Sequence, residues 1–437
     1  MKTYKRILFV LGGLIVMLAG CSDPTGDSGT DTTDTVTPLS QLWASDAAGD
    51  DWFGNSVSLS ADGMLALVGA HGDDNTNGLD SGAAYIYARN GSSWTQMAKL
   101  IPADGLAYDK FGMAVCLSPD GSTAIVGSPN NDSSGSCAGA AYIFTGSGST
   151  WTQAVKLSAS TSSDGSQVND NFGVSVSLSS DGSVALVGAL GDDTLQTANV
   201  GSVYIYSGIA WSNEVWIPSP YVDHVKFGET VCLSSDGMTA LIGAPSIYSA
   251  QGRVFFYSYN ASTGWTVKSQ FGTGLSSPYD SNNGDRFGSS LALSSDGSVA
   301  LIGAEGKGAA YVYSESMGNK WGGFVDIGSL GGGSGFGCSV SLSSGGSIAL
   351  VGAQSDQQNG AAYLFTGVFD STDFLQPSTW TQKARIAAAD GASADCFGKS
   401  VSLSETGTTA IIGTYQNDVD DTEGADSGSV YSYGISY

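Results

Sequence analysis

The sequence predicts an all-β protein, a seven-bladed β-propeller of four-stranded blades in which the N-terminal strand closes the ring. Three observations lead there. The dipeptide Phe-Gly recurs with its Phe at 53, 111, 172, 227, 287, 336 and 397, and self-similarity at such a period marks a repeat architecture. Only 13% of the residues are charged while 62 of 437 are Gly, a balance that suits short strands joined by tight turns and does not suit helices. The last copy stops one strand short, and a segment of matching character stands at the other end of the chain.

Each copy opens with a strand. Blade one reads FGNSVSLSADGMLALVGA and blade three FGVSVSLSSDGSVALVGA. Six residues after every Phe stands a Leu: Leu59, Leu117, Leu178, Leu233, Leu293, Leu342 and Leu403. The residue before each Leu is small (Ser58, Cys116, Ser177, Cys232, Ala292, Ser341, Ser402), and large-small-large alternation is a strand signal. Acceptance of Cys and Ala on the small face predicts a strand covered on both sides, with sheets stacked face to face. Ser-x-Asp-Gly follows in five copies, as at Ser60 to Gly63, and Asp-Gly between apolar runs signals a hairpin. The second strand is ALVGA or a close variant. A loop of variable length leads to the third, GAAYIY or a relative of it, and the fourth begins at a Trp (Trp94, Trp151, Trp211, Trp265, Trp321, Trp380). The seventh copy ends at Tyr437 without that strand. Leu39 to Ala44, ahead of the first Phe-Gly, is placed to supply it. Closure removes the edges that an open array would expose.

Residues 1–20 read as a signal peptide: Lys2, Lys5 and Arg6, then an apolar run from Ile7 to Ala19 that is short for a membrane span. Leu18-Ala19-Gly20-Cys21 resembles a bacterial lipobox, which implies cleavage before Cys21 and lipidation of its thiol. Ser22 after the Cys implies, by the same resemblance, anchoring at the outer membrane, facing periplasm or medium. Residues 21–37 then form the lipidated Cys and a flexible acidic tether, and 38–437 the propeller. The lipid is the expected membrane contact. Without the signal the chain has 13 basic and 41 acidic residues, a net of about −28, which argues against nucleic acid as a partner. A monomer is expected.

Phe-Gly, a strand ending in Val-Gly-Ala (Gly243-Ala244-Pro245 in one copy) and Gly-x-x-Tyr-x-Tyr together resemble the FG-GAP repeats of integrin α-subunit propellers. The short Asp-Gly turns and WTQxxKL strands are closer to bacterial FG-GAP proteins. The resemblance covers residues 38–437. Integrin-like blades often hold calcium in the turn between strands one and two. Here Ser-x-Asp-Gly offers one carboxylate where calcium takes six to eight oxygens, so that site is not carried over.

Chemistry-bearing residues are sparse. His71 and His224 stand in non-equivalent loops, and no nucleophile elbow, P-loop or dinucleotide fingerprint is present. The chain is therefore expected to be non-enzymatic and to require no cofactor. After Cys21 five Cys remain: Cys116 and Cys232 are expected as buried small side chains, and Cys116–Cys137 or Cys338–Cys396 as candidate disulfides. In a four-stranded blade the 1–2 and 3–4 turns share one face of the disc, and the 2–3 loops and blade connections share the other. The 1–2 turns are nearly identical, whereas the loops differ, so the loop face is the candidate binding surface. Acids recur there: Asp73, Asp74, Asp132, Asp192, Asp193, Asp356, and the cluster Asp418, Asp420, Asp421, Glu423 and Asp426. They are read either as Asx-turns and solvated surface or as Ca2+ or cationic-ligand sites. Trp52, Tyr108, Tyr221, Tyr248, Tyr279 and Tyr415 are candidate anchors for a protein or glycan partner. The expected function is a surface lipoprotein that binds a macromolecule, in adhesion or envelope interaction. A calcium- or glycan-binding lectin-like module and a structural envelope scaffold are the alternatives.

Overall fold

The computed structural model describes residues 34–160, 167–193, 197, 199–221, 225–272, 283–316, 320–328, 335–368, 379–392, 395–417 and 426–437. The signal peptide, Cys21, His224, Tyr279, Asp418, Asp420, Asp421 and Glu423 lie outside the described residues. Seven four-stranded antiparallel sheets form the blades. In blade one the strands are Ser56–Leu59, Leu65–Ala70, Ala83–Asn90 and Ser93–Leu100, hydrogen-bonded in that order. Neighbouring first strands pack on one another around the ring, the seventh (Ser400–Leu403) against the first included, so they line the axis. No described helix is long and apolar enough to cross a membrane.

The seventh blade consists of Ser400–Leu403, Thr409–Thr414, Ser429–Ser436 and the N-terminal strand Thr35–Leu42. The closing strand pairs Leu42 with Val430, Gln41 with Tyr431 and Thr35 with Ser436. Its register slips between Pro38 and Gln41, at the place where the fourth strand of blade one slips between its partners Ile86 and Tyr87. The strand begins earlier than the expected Leu39 to Ala44 and ends at Leu42. Thr35 shares a hydrogen bond with Ser436 and Val36 packs on the seventh core, so residues 35–37 belong to the propeller rather than the tether. Pro38 is tolerated because a fourth strand is an outer edge.

What joins blade to blade is glycine. A Cβ on the Gly of each second strand would lie 1.9–2.6 Å from the carbonyl oxygen of the Phe-Gly glycine in the next blade: Gly69 from Gly112, Gly127 from Gly173, Gly188 from Gly228, Gly243 from Gly288, Gly303 from Gly337, Gly352 from Gly398, and Gly413 from Gly54. Gly413 against Gly54 repeats this contact at the seam. In six blades a hydroxyl three residues after the Phe donates to the same carbonyl, as Ser56 does to Gly112 (2.9 Å) and Ser400 to Gly54 (2.7 Å); blade two has Ala114 there. Each Phe is buried against the aromatics of its blade's third strand, Phe53 edge-on to Tyr85 and Tyr87.

The small residues of the first strands face their neighbours across blades. Leu117 N–H donates to Ser58 Oγ (3.0 Å), Leu233 to Ser177, Leu403 to Ser341, and Leu59 to Ser402 across the seam. Cys116 and Cys232 are half-buried rather than buried as expected, and desolvation pushes their thiols up to about 11 and about 12. All five described Cys are free, so neither candidate disulfide is formed. At the turn end a belt of backbone hydrogen bonds runs round the axis. Ala61 donates to Pro119, Ser180 to Ser235, Ser235 to Ser295, Ser295 to Ser344, Ser344 to Glu405, and Glu405 to Ala61. Pro119 has no N–H, and Asp120 donates to Ser180 in its place.

Two outcomes follow for the seam. Deleting residues 36–45 removes an edge strand and the buried Leu42, worth about 1.5–3 kcal/mol alone, so melting temperature and protease resistance fall; unchanged values contradict closure by this strand. Gly413→Ala sets a methyl against the Gly54 carbonyl and costs about 1–3 kcal/mol, measured by denaturant unfolding.

Candidate functional site

The residue three positions past each second strand occupies an equivalent place in its blade, polar in six of the seven. These are Asp73, Asn131, Asp192, Ile247, Lys307, Asp356 and Asn417. Asp73 is 2% exposed; it accepts from the Tyr85 hydroxyl (2.6 Å) and from Asn75, and pairs with Lys99 of the fourth strand (2.8 Å). Asp356 repeats the arrangement with Tyr363 (2.7 Å) and Arg385 (2.8 Å). Tyr204 donates to Asp192 (3.0 Å). In blade five the charges exchange places in the register: Lys307 comes from the loop, over the Tyr311 ring, and Asp326 stands opposite Tyr311 on the fourth strand, where blade one has Lys99 opposite Tyr85. In blade four the network is apolar, with Ile247 and Phe255 both buried. Such compensation within one chain is the mark of a structural site. The Asp73 and Asp356 carboxylates already hold a cationic side chain.

The exposed acids cap their own loops. Asp74 accepts from the N–H of Asp80 (2.7 Å), Asp193 from Asn199 (2.5 Å) and Asp132 from Cys137 (2.7 Å), closing loops of five or six residues rather than the two-residue Asx-turns expected. Asp426 sits in the left-handed region and accepts the Trp52 N–H through its carbonyl (3.3 Å). Among the described residues no group of three or more His, Cys, Asp or Glu gathers at metal-binding distance.

The candidate anchors separate into two kinds. Trp52 packs on His71 (4.7 Å between rings) under the Lys110 ammonium (4.9 Å). Burial and the Lys110 charge lower His71 to about 4, so its imidazole is neutral. Tyr221 and Tyr248 flank the Arg253 guanidinium at 5.0 and 5.2 Å, and Tyr415 carries Lys399 at 5.9 Å. Tyr108, by contrast, is 55% exposed.

One set of residues escapes the sequence reading because its signal is backbone geometry. The residue before every Phe-Gly is left-handed: Trp52, Lys110, Asn171, Lys226, Arg286 and Cys396 at φ 50–59°, and Gly335 at 88°. All stand at the loop-face end of the first strands, around the axis. Only the constant Phe-Gly beside them, aligned across copies, marks the position. A left-handed conformation costs an ordinary L-residue about 1–2 kcal/mol, and here six of the seven positions carry a side chain, of five different types.

The family described as FG-GAP repeat matches residues 37–87, 94–144, 151–206 and 380–433. This chain carries FG-GAP repeats. Each matched segment starts at a fourth strand and ends in the third strand of the next blade, and the first starts in the closing strand. The fourth strand of blade three, all of blades four and five, and the first three strands of blade six fall outside the matched residues, and blades four and five carry the altered networks at Ile247 and Lys307. A search of curated proteins returns no match. Among solved structures, the Pseudomonas aeruginosa periplasmic gluconolactonase is similar, with a TM-score of 0.50 and 15% identity over 78% of this chain and 86% of that one. At that identity the likeness is one of fold alone.

Blade one also predicts a pH dependence. In blades two and seven, Asn131 donates to the buried Asp109 (2.7 Å) and Asn417 to the buried Asp395 (3.2 Å). The equivalent pair in blade one is Asp51 with Asp73, two buried carboxyls. Burial, then the Asp73 charge, pushes Asp51 up to about 7 against the opposing Ala48 N–H bond. A raised carboxyl pKa means that the folded state binds the proton more tightly than the unfolded one. Its contribution is full below pH 4 and is lost as pH rises through about 7. Asp51→Asn should remove about one proton of folding-linked uptake between pH 5 and 7 and raise stability at pH 8.5 relative to wild type, measured by denaturant unfolding against pH.

Proposed function

We propose that this propeller is a non-enzymatic binding module, held at the outer envelope through Cys21, and that its loop face engages a macromolecular partner in adhesion or envelope interaction. The observation that carries this reading is the ring of left-handed residues before Phe-Gly. The backbone is left-handed seven times while the residue varies among Trp, Lys, Asn, Arg, Gly and Cys, with only Lys used twice, which is the pattern of a recognition surface rather than of a fold requirement. The opposite face supports it by contrast. There the turns repeat, the hydrogen-bonded belt surrounds the axis, and Ser235 and Ser295 hydroxyls approach the Glu405 carboxylate from across the ring (3.4 and 3.3 Å).

A binding role without catalysis is supported by the state of the titratable groups on the loop face. His71 is buried and neutral. Asp73 and Asp356 are tied to cations within their blades. The gluconolactonase is an enzyme by its own description, and a shared fold does not transfer that activity.

The test uses the chain from residue 34 onward and isolated bacterial envelopes. Lys226→Glu with Lys399→Glu on the loop face should weaken binding at least tenfold at unchanged melting temperature, and Met238→Lys on the turn face should leave it intact. Binding that survives the loop-face pair, or turnover of a lactone substrate by the wild type, overturns the reading. Repeating the assay in calcium and in EDTA separates it from a calcium-dependent lectin.

A further inference from the structure

The loop face carries an apolar patch at the junction of blades one and two. Leu79, Leu106 and Tyr108 are 57%, 58% and 55% exposed. They are brought together by the backbone: Tyr108 N–H donates to the Leu79 carbonyl (2.8 Å), and Leu106 lies in the turn that Asp109 N–H closes (3.4 Å). The same link recurs at other junctions, from Asn169 to Ser136 (2.8 Å) and from Gly284 to Ser249 (3.1 Å). The junction therefore forms with polar or small side chains, and the fold does not require leucine and tyrosine there.

Tyr108 is moreover set against its backbone. Its φ is 69°, and the equivalent residues are Asp50 at 63°, Asn169 at 65° and Gly284 at 94°. Asp, Asn and Gly are the types that accept the left-handed region, whereas an aromatic residue is strained in it. A strained, exposed tyrosine beside two exposed leucines is more than scattered surface apolarity. Carboxylates rim the patch. Asp74 is exposed, Asp80 pairs with Lys110 (2.9 Å), and Asp104 with Lys156 (2.7 Å). The field of the whole chain is strongly negative.

We infer that the Leu79–Leu106–Tyr108 patch is the docking point for a protein segment that combines apolar anchors with basic residues. The inference rests on the loop-face reading and narrows it to one junction and one partner chemistry. The anchors cover the leucines and the tyrosine ring, and the basic residues meet the exposed Asp74 and the negative field of the chain, since Asp80 and Asp104 already hold lysines.

The probe is a short fluorescent peptide of alternating leucine and lysine, titrated into the chain from residue 34 onward. Leucine–glutamate and oligolysine peptides serve as controls. Leu79→Ser with Tyr108→Asn installs the pair native to the next junction, so the melting temperature should hold; if that double variant does not fold, Tyr108→Asn alone replaces it. The leucine–lysine peptide should bind wild type at least tenfold more tightly than the variant, and more weakly as salt rises, while oligolysine treats both alike. Equal binding of that peptide to both proteins, or equal binding of the leucine–glutamate peptide, overturns the inference. So does self-association of the wild type that the variant loses, which would make a second copy the occupant. If the Lys226 and Lys399 substitutions abolish envelope binding and the patch variant retains it, the patch fails and the loop-face reading stands.

Discussion

Every blade rests on the approach of one glycine to another. The penultimate Gly of each second strand leaves room for the carbonyl of the next Phe-Gly glycine, and any side chain there would overlap it. This contact sets the distance between inner strands. The hydroxyl three residues after the Phe can then reach the same carbonyl, and the Phe can enter the wedge between blades. Close packing of this kind tolerates little change in volume. It explains why the two glycines and the Phe occur in all seven copies while the hydroxyl is absent from one. The seam between the seventh and first blades uses the same contact. The ring therefore has no geometrically distinct joint; the covalent break lies inside blade seven, between its third strand and the closing strand.

Above that framework the blades solve a second problem in several ways. A tyrosine on the third strand points into the blade toward the loop face, and its hydroxyl needs a partner. Blades one and six meet it with a loop carboxylate and a fourth-strand cation. Blade five reverses the charges, and blade four replaces the network with Ile247 and Phe255. The acids of the loop face are accordingly of mixed origin. Some belong to the interior and some cap loops, and their abundance in the sequence conveys little about a ligand. The residues with freedom to differ are those whose backbone is fixed by neighbours: the left-handed position before Phe-Gly, and the junction that carries Tyr108.

The architecture was legible in the sequence because its determinants are contacts that admit one residue type. Phe-Gly, the Leu six residues on, and the Val-Gly-Ala strand located the first two strands of each blade. The Tyr-x-Tyr and Trp positions located the other two. The closing strand was legible as a need, but its start at Thr35 was not, since Thr35-Val36-Thr37 is as polar as the tether before it and gains meaning only opposite Ser436 and Ile435. The candidate site was less legible. Asp73 and Asp74 look alike in sequence, yet one is buried against Lys99 and the other caps a loop, because side chains on successive residues point apart. Left-handed backbone at Trp52, Lys110 or Tyr108 leaves no trace in residue type, for these are not residues that prefer it.

The central claim is that the seam is as strong as any other junction. Amide hydrogen exchange tests it most directly by comparing Gly54 with Gly112. Both donate to the second-strand glycine of their own blade at 3.0 Å, to Gly69 and Gly127, and both present their carbonyls to the preceding blade. If the ring opens only by global unfolding, the two amides exchange at the same protected rate. Faster exchange at Gly54, with Gly112 still protected, would show that the seam opens by itself and would contradict the account.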